Sequence, residues 1–146
     1  MERGVGFNKN LLSEIQCQLS LADHPAECCT CLKSEDCELL HVAAYLGVEK
    51  RSLERLHQRT EILPVDTSNP AFDFDPNKCI LCGKCVRVCS EIAGIGAIDL
   101  ARRSYQSRVS TFAGKAWGDT VCQSCGECVE RCPTGALMPK RVIIPQ

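Results

Sequence analysis

Thirteen cysteines stand in a chain of 146 residues, and eight of them repeat one spacing. Cys79-x2-Cys82-x2-Cys85-x3-Cys89 recurs, 43 residues on, as Cys122-x2-Cys125-x2-Cys128-x3-Cys132. Three thiolates two residues apart let a single loop wrap a compact inorganic cube. The fourth, three residues later, leaves on a helix and reaches the neighbouring cube. The pattern predicts one [4Fe–4S] cluster on Cys79, Cys82, Cys85 and Cys132, and a second on Cys122, Cys125, Cys128 and Cys89. Exchanging the fourth ligand stitches the two copies together and couples metal binding to folding. Gly83 and Gly126 hold equivalent places in the two loops, where a permissive backbone suits a tight curl around sulfur. Pro133 follows the last cysteine of the second copy as the motif expects. Ser90 follows that of the first, so a helix there should continue through Glu91 and Ile92. Zinc ribbons also use C-x2-C pairs, but separated pairs do not account for a third and fourth cysteine at these intervals, twice over.

Elements must hold these loops. Residues 11–19 have helical apolar spacing, which Pro25 should end. Glu38 to Leu46 reads as a second helix, with Leu39, Leu40, Ala43 and Leu46 on one face and Gly47 as its stop. Ser52 to His57 reads as a third, short one. Residues 64–76 form a polar, proline-punctuated connector, with Ala71 to Phe74 as a short strand. Fixed-period similarity between the cysteine motifs means two versions of one supersecondary unit. Between them Ile98 to Phe112 alternates as a β-hairpin, and Gly114 to Thr120 reads as loop. The expected class is α+β: an N-terminal helical lobe over residues 1–63, the connector, and a ferredoxin-like dicluster domain over 77–146.

Five cysteines remain: Cys17, Cys28, Cys29, Cys31 and Cys37. With His24 they give His24-x3-Cys28-x2-Cys31-x5-Cys37, a four-ligand metal site. Spacing alone leaves the metal open, since Cys3His is a legitimate zinc set, and a lone histidine is ordinarily a packed or surface residue. Cys17 falls on an apolar helix face and is expected to pack there.

The run His24-Pro25-Ala26-Glu27-Cys28, then Cys31, then Cys37-Glu38-Leu39, resembles the histidine-ligated [4Fe–4S] segment of the large iron–sulfur subunit of respiratory complex I. Similar segments occur in NAD-linked and [FeFe]-hydrogenases and in NAD-dependent formate dehydrogenases. There a connector and a dicluster ferredoxin module follow. The stretch from Cys79 to Lys140, with Gly94-Ile95-Gly96-Ala97 and Cys132-Pro133-Thr134-Gly135-Ala136-Leu137, is similar to the versions in formate dehydrogenases and hydrogenases. The resemblance implies a third cluster on His24, Cys28, Cys31 and Cys37, with Cys28 selected over Cys29. A neutral imidazole in place of a thiolate should raise that cluster's potential. The relatives carry a [2Fe–2S] domain ahead of the histidine motif, and this sequence begins where that domain would end. No catalytic domain follows Lys140, so the expectation is a relay whose two ends come from other chains.

Composition sets the class of function. Net charge is −1, from 17 basic and 18 acidic residues, which provides no electrostatic footprint for nucleic acid. No apolar stretch reaches transmembrane length and no secretory signal is visible, so a reduced, cytoplasmic setting is expected, where dense cysteine means metal. With twelve residues assigned to clusters, no nucleophile–base pair or open metal position is left for independent catalysis. The expectation is a non-catalytic subunit passing single electrons through three [4Fe–4S] clusters. It would serve a large catalytic partner, a molybdenum- or tungsten-pterin enzyme of the formate dehydrogenase or tungsten aldehyde oxidoreductase and benzoyl-CoA reductase type. A hydrogenase is the alternative partner, with a further donor or acceptor subunit or a ferredoxin at the other end. A zinc-bound interaction module is the alternative of another class. Trp117 is expected as an apolar lid over a cluster or as a partner contact. Lys78, Lys84 and Arg87 flank the first motif, either to stabilise an added electron or as a solvated face.

Overall fold

The chain is described from a computed structural model covering residues 9–25, 28–29, 31–48 and 61–140. Helix α1 spans Lys9–Ala22 and ends just before the His24-Pro25 pair, since proline cannot extend it. Helix α2 spans Glu38–Tyr45, and Gly47 beyond it takes φ +67°, a left-handed stop that glycine adopts freely. Cys17 of α1 packs with Leu39 and Ala43 of α2, all three buried, and Leu21, Leu46, Val48 and Ile80 close around them. Leu40 is 39% exposed, so the apolar face of α2 is narrower than its sequence suggests. The short helix expected over residues 52–57 lies outside the described residues.

Strand β1, Phe72–Phe74, opens the second part of the chain and pairs antiparallel with β4, Leu137–Pro139. The segment's two ends therefore close on each other. Between them β2, Ile98–Ala101, and β3, Arg108–Thr111, form the expected antiparallel hairpin, with Ile98 opposite Thr111 and Ala101 opposite Arg108. Each cysteine loop runs into a one-turn helix, α3 over Lys84–Arg87 and α4 over Glu127–Glu130. The two helices pack on each other. The first continues as a π-helical turn, Val88–Ile92, as the missing proline after Cys89 implied. The second stops at Cys132, where Pro133 leaves the helix. The segment expected as loop carries two 3-10 turns, Phe112–Gly114 and Trp117–Asp119.

The core consists of Phe72, Phe74, Val88, Ile98, Val109, Trp117, Ala136 and Leu137, joined by Cys85, Cys128 and Cys132. Trp117 meets Phe72 edge to face at 5.2 Å and Phe74 at 5.2 Å, geometry that adds roughly 1 kcal/mol per ring pair beyond area burial. Residues 63–77 are bound closely to this core. Asn77 exchanges two hydrogen bonds with the Leu63 backbone, each 2.8 Å. Asp66 and Phe74 exchange backbone bonds of 2.8 and 2.9 Å.

Candidate metal centres

Three nearly enclosed cavities lie under the cysteine loops, each with about 330–350 Å³ of space between atoms. Cys79, Cys82, Cys85 and Cys132 line one of them, with Phe74, Val109 and Leu137 as apolar walls. Cys89, Cys122, Cys125 and Cys128 line another, with Phe72, Ile98 and Trp117. The fourth cysteine of each motif thus sits with the three of the other. Burial first, then the neighbouring thiols Cys79, Cys82 and Cys132, push the Cys85 thiol up to about 12. Burial and then Cys122 and Cys125 push Cys128 up to about 12 as well. Such crowded sulfurs can all be thiolates only around cationic iron, whose charge reverses the local preference. Among the described residues, no three of His, Cys, Asp and Glu converge as one metal ion would require. Zinc would draw four sulfurs to about 3.8 Å from one another, given its tetrahedral bonds of about 2.3 Å. Four donors around a cavity fit a body with its own volume.

The backbone of the two loops repeats as closely as their cysteines. Leu81 and Ser124, each just before the second cysteine, have φ +57° and +54°. Gly83 and Gly126, each just after it, have φ +72° and +81°. A left-handed residue that is not glycine costs roughly 1–2 kcal/mol. Both loops carry that cost at the same place, where the chain must double back around the cavity and turn its N–H groups inward. Nothing in the side chains of Leu81 and Ser124 announces this conformation.

The third cavity is lined by His24, Cys28, Cys31 and Cys37, with Pro25, Ser34, Leu40, Lys78 and Gly135. Two successive turn bonds, Cys31 N–H to Cys28 O at 3.3 Å and Ser34 N–H to Cys31 O at 3.1 Å, curl the loop. Cys37 takes an extended conformation at the N-cap of α2, with no side-chain capping bond. His24 Nδ1 lies 3.0 Å from the Pro25 carbonyl oxygen. A carbonyl only accepts, so Nδ1 carries the proton and Nε2 keeps its lone pair. Nε2 is buried with no hydrogen-bond partner. Burial, above all, holds the imidazole below its usual range and therefore neutral. A neutral, oriented imidazole with an unspent buried lone pair is the ligand form of histidine. Cys29 is exposed and is not among the residues lining the cavity.

Some contacts escape the sequence. A Cβ on Gly135 would sit 2.9 Å from Cys31 Sγ and 3.5 Å from Lys78 Cδ. The chain running from Cys132 to Gly135 thus spans from the first cavity to the third. Two ligand sulfurs of the second cavity receive donors: Ala97 N–H to Cys89 Sγ at 3.3 Å and Asn69 Nδ2 to Cys122 Sγ at 3.5 Å. Lys78 lines the histidine cavity and pairs with Asp75 at 3.2 Å, while Lys84 pairs with Glu38 of α2 at 2.7 Å. Trp117 corrects an expectation: at 4% exposure it is core and cavity wall, and it presents no surface to a partner. His41 is exposed on α2, and His57 lies outside the described residues.

Comparison with known proteins agrees with these divisions. Residues 15–52 match the family described as NADH-ubiquinone oxidoreductase-G iron-sulfur binding region. Residues 69–138 match NADH-quinone oxidoreductase subunit 3, ferredoxin-like domain. The NADP-reducing hydrogenase subunit HndD of Solidesulfovibrio fructosivorans is 33% identical over 129 residues, 86% of this chain and 21% of that protein. A Staphylococcus haemolyticus relative named for formate dehydrogenase is 31% identical over 81% of this chain and 12% of its own length. The chain therefore spans about a fifth or less of these curated relatives. Its fold superimposes on an NAD+-reducing [NiFe]-hydrogenase chain with a TM-score of 0.80 and 29% identity, covering 94% of this chain and 57% of that one. The chain is an iron–sulfur electron-transfer module of the kind shared by NADH-quinone oxidoreductase, hydrogenase and formate dehydrogenase-like proteins.

Proposed function

We propose that the chain holds three [4Fe–4S] clusters and relays single electrons within a larger oxidoreductase complex. Cys79, Cys82, Cys85 and Cys132 would hold the first, Cys89, Cys122, Cys125 and Cys128 the second, and His24, Cys28, Cys31 and Cys37 the third. One observation carries the reading: three cavities of similar size, each lined by one of these sets of four. When bound, a cluster supplies one-electron capacity. The chain's own work is to hold it, exclude water from most of it and leave an edge accessible. Cys28, Cys82 and Cys125, one in each set, are exposed, so each cavity has a side from which an electron can enter or leave. The module performs no catalysis by itself in this reading; the substrate is turned over on a partner.

The proposed partner is a molybdenum- or tungsten-pterin subunit, supported by the relatives named for formate dehydrogenase. A hydrogenase partner is a second reading, favoured by the superposition on a hydrogenase chain. Anaerobic purification with metal analysis tests both levels. About twelve iron and twelve acid-labile sulfide per chain are expected, and a colourless protein holding zinc would overturn the relay. Molybdenum or tungsten in the co-purifying complex supports the first partner, and nickel supports the second.

A further inference from the structure

Asn69 is among the most buried side chains, at 2% exposure, yet it carries an amide that needs partners on both ends. Its Oδ1 accepts the Ala71 N–H at 2.9 Å. A backbone N–H can only donate, so this contact fixes which end of the amide is oxygen. The NH2 end is thereby turned to Cys122 Sγ at 3.5 Å. The surrounding chain holds it there. Trp117 N–H donates to the Asp66 carboxylate at 3.0 Å, and Gly118 N–H donates to Ser68 Oγ at 2.8 Å. Gly118 passes so close that a Cβ would meet the Ser68 carbonyl oxygen at 2.6 Å. On the cysteine side, Cys122 N–H donates to Thr120 Oγ1 at 3.2 Å, and Thr120 Oγ1 donates to the Trp117 carbonyl at 2.8 Å. Donor and sulfur are thus pinned to the same turn.

We propose that Asn69 is a positioning residue that raises the reduction potential of the cluster on Cys89, Cys122, Cys125 and Cys128. The proposal rests on that ligand set. A reduced cluster carries one more electron, spread over its sulfurs and ligand thiolates. An N–H aimed at a ligand sulfur is therefore attracted more strongly in the reduced state than in the oxidised one. Ala97 N–H acts in the same sense on Cys89 from the opposite motif, but only Asn69 does so through a side chain. Thr134 offers a contrast beside Cys132. Its one hydroxyl proton goes to the Lys78 carbonyl at 2.7 Å, and the sulfur lies 3.9 Å away.

The test is an EPR-monitored redox titration of the three-cluster chain as wild type, Asn69→Leu and Asn69→Asp, with Cys122→Ser alongside. Asn69→Asp keeps an acceptor for Ala71 N–H and removes the donor, so it isolates the bond to sulfur from local folding. Both Asn69 variants should keep full iron and shift one cluster's equilibrium towards the oxidised form by about three- to tenfold, tenfold being 59 mV for one electron. The shifted signal should be the one that Cys122→Ser perturbs. Unchanged potentials in both Asn69 variants, with Cys122→Ser perturbing one cluster, would overturn the proposal and leave the ligand set standing. A Cys122→Ser chain with all three signals intact would remove the ligand set, and the proposal with it.

Discussion

At the scale of single residues, His24 and Gly135 do opposite work at one cavity. His24 presents a buried lone pair, and Gly135 keeps its own side of the cavity clear beside Cys31. A methyl group on Gly135 would force the backbone or Cys31 to shift, because a 2.9 Å carbon–sulfur approach lies well inside van der Waals contact. Gly135→Ala should therefore weaken or abolish the histidine-site cluster and leave the other two in place. EPR checks this directly: the signal lost should be the one that His24→Ala removes. The histidine was legible in the sequence because its spacing to three cysteines resembles a family. The glycine was not, because its partner lies about a hundred residues away and a glycine beside a cysteine loop is read first as a turn.

At the scale of elements, the segment ahead of β1 reads as a connector because it is polar and proline-punctuated, yet its side chains are fastened to the 3-10 turn at Trp117. The Asp66 carboxylate is partly desolvated, which alone would raise its pKa. Its bonds from Ser68 and from Trp117 N–H outweigh this and hold it below the ordinary value of 3.8. A depressed carboxylate stabilises the fold wherever it is ionised, and that contribution is lost as the pH falls through its folded-state value. Asp66→Asn should cost about 1–3 kcal/mol at neutral pH, and the deficit should close as the pH drops below 3.8. Urea unfolding followed by fluorescence of Trp117, the chain's single tryptophan, measures it. A deficit that persists unchanged in acid would assign the loss to packing. The hairpin, by contrast, was legible, since alternation reports a half-buried strand directly.

At the scale of the whole molecule, cysteines form part of the hydrophobic core, and the sulfur-lined cavities sit where other small proteins would place large side chains. The N-terminal helices join the rest through few bonds. Glu38 N–H donates to the Pro133 carbonyl at 3.1 Å, and the exposed Lys84–Glu38 pair contributes at most about 1 kcal/mol. Much of the cohesion therefore depends on what fills the cavities. Stripping iron with a chelator under oxidising conditions should collapse the near-UV dichroism of Trp117 and open the chain to proteolysis. An apo chain that kept its near-UV signal would show that side-chain packing alone sustains the fold.

The sequence by itself determined the three groups of ligand residues, the exchange of fourth cysteines, α1, α2 and the hairpin. Each is written in local spacing, and local spacing constrains what a loop can wrap or a helix can bury. Only the tertiary structure decided the left-handed Leu81 and Ser124, the clearance at Gly135, the burial of Trp117 and the aim of the Asn69 amide at Cys122. These depend on which distant segments meet, and no periodicity along the chain records that meeting.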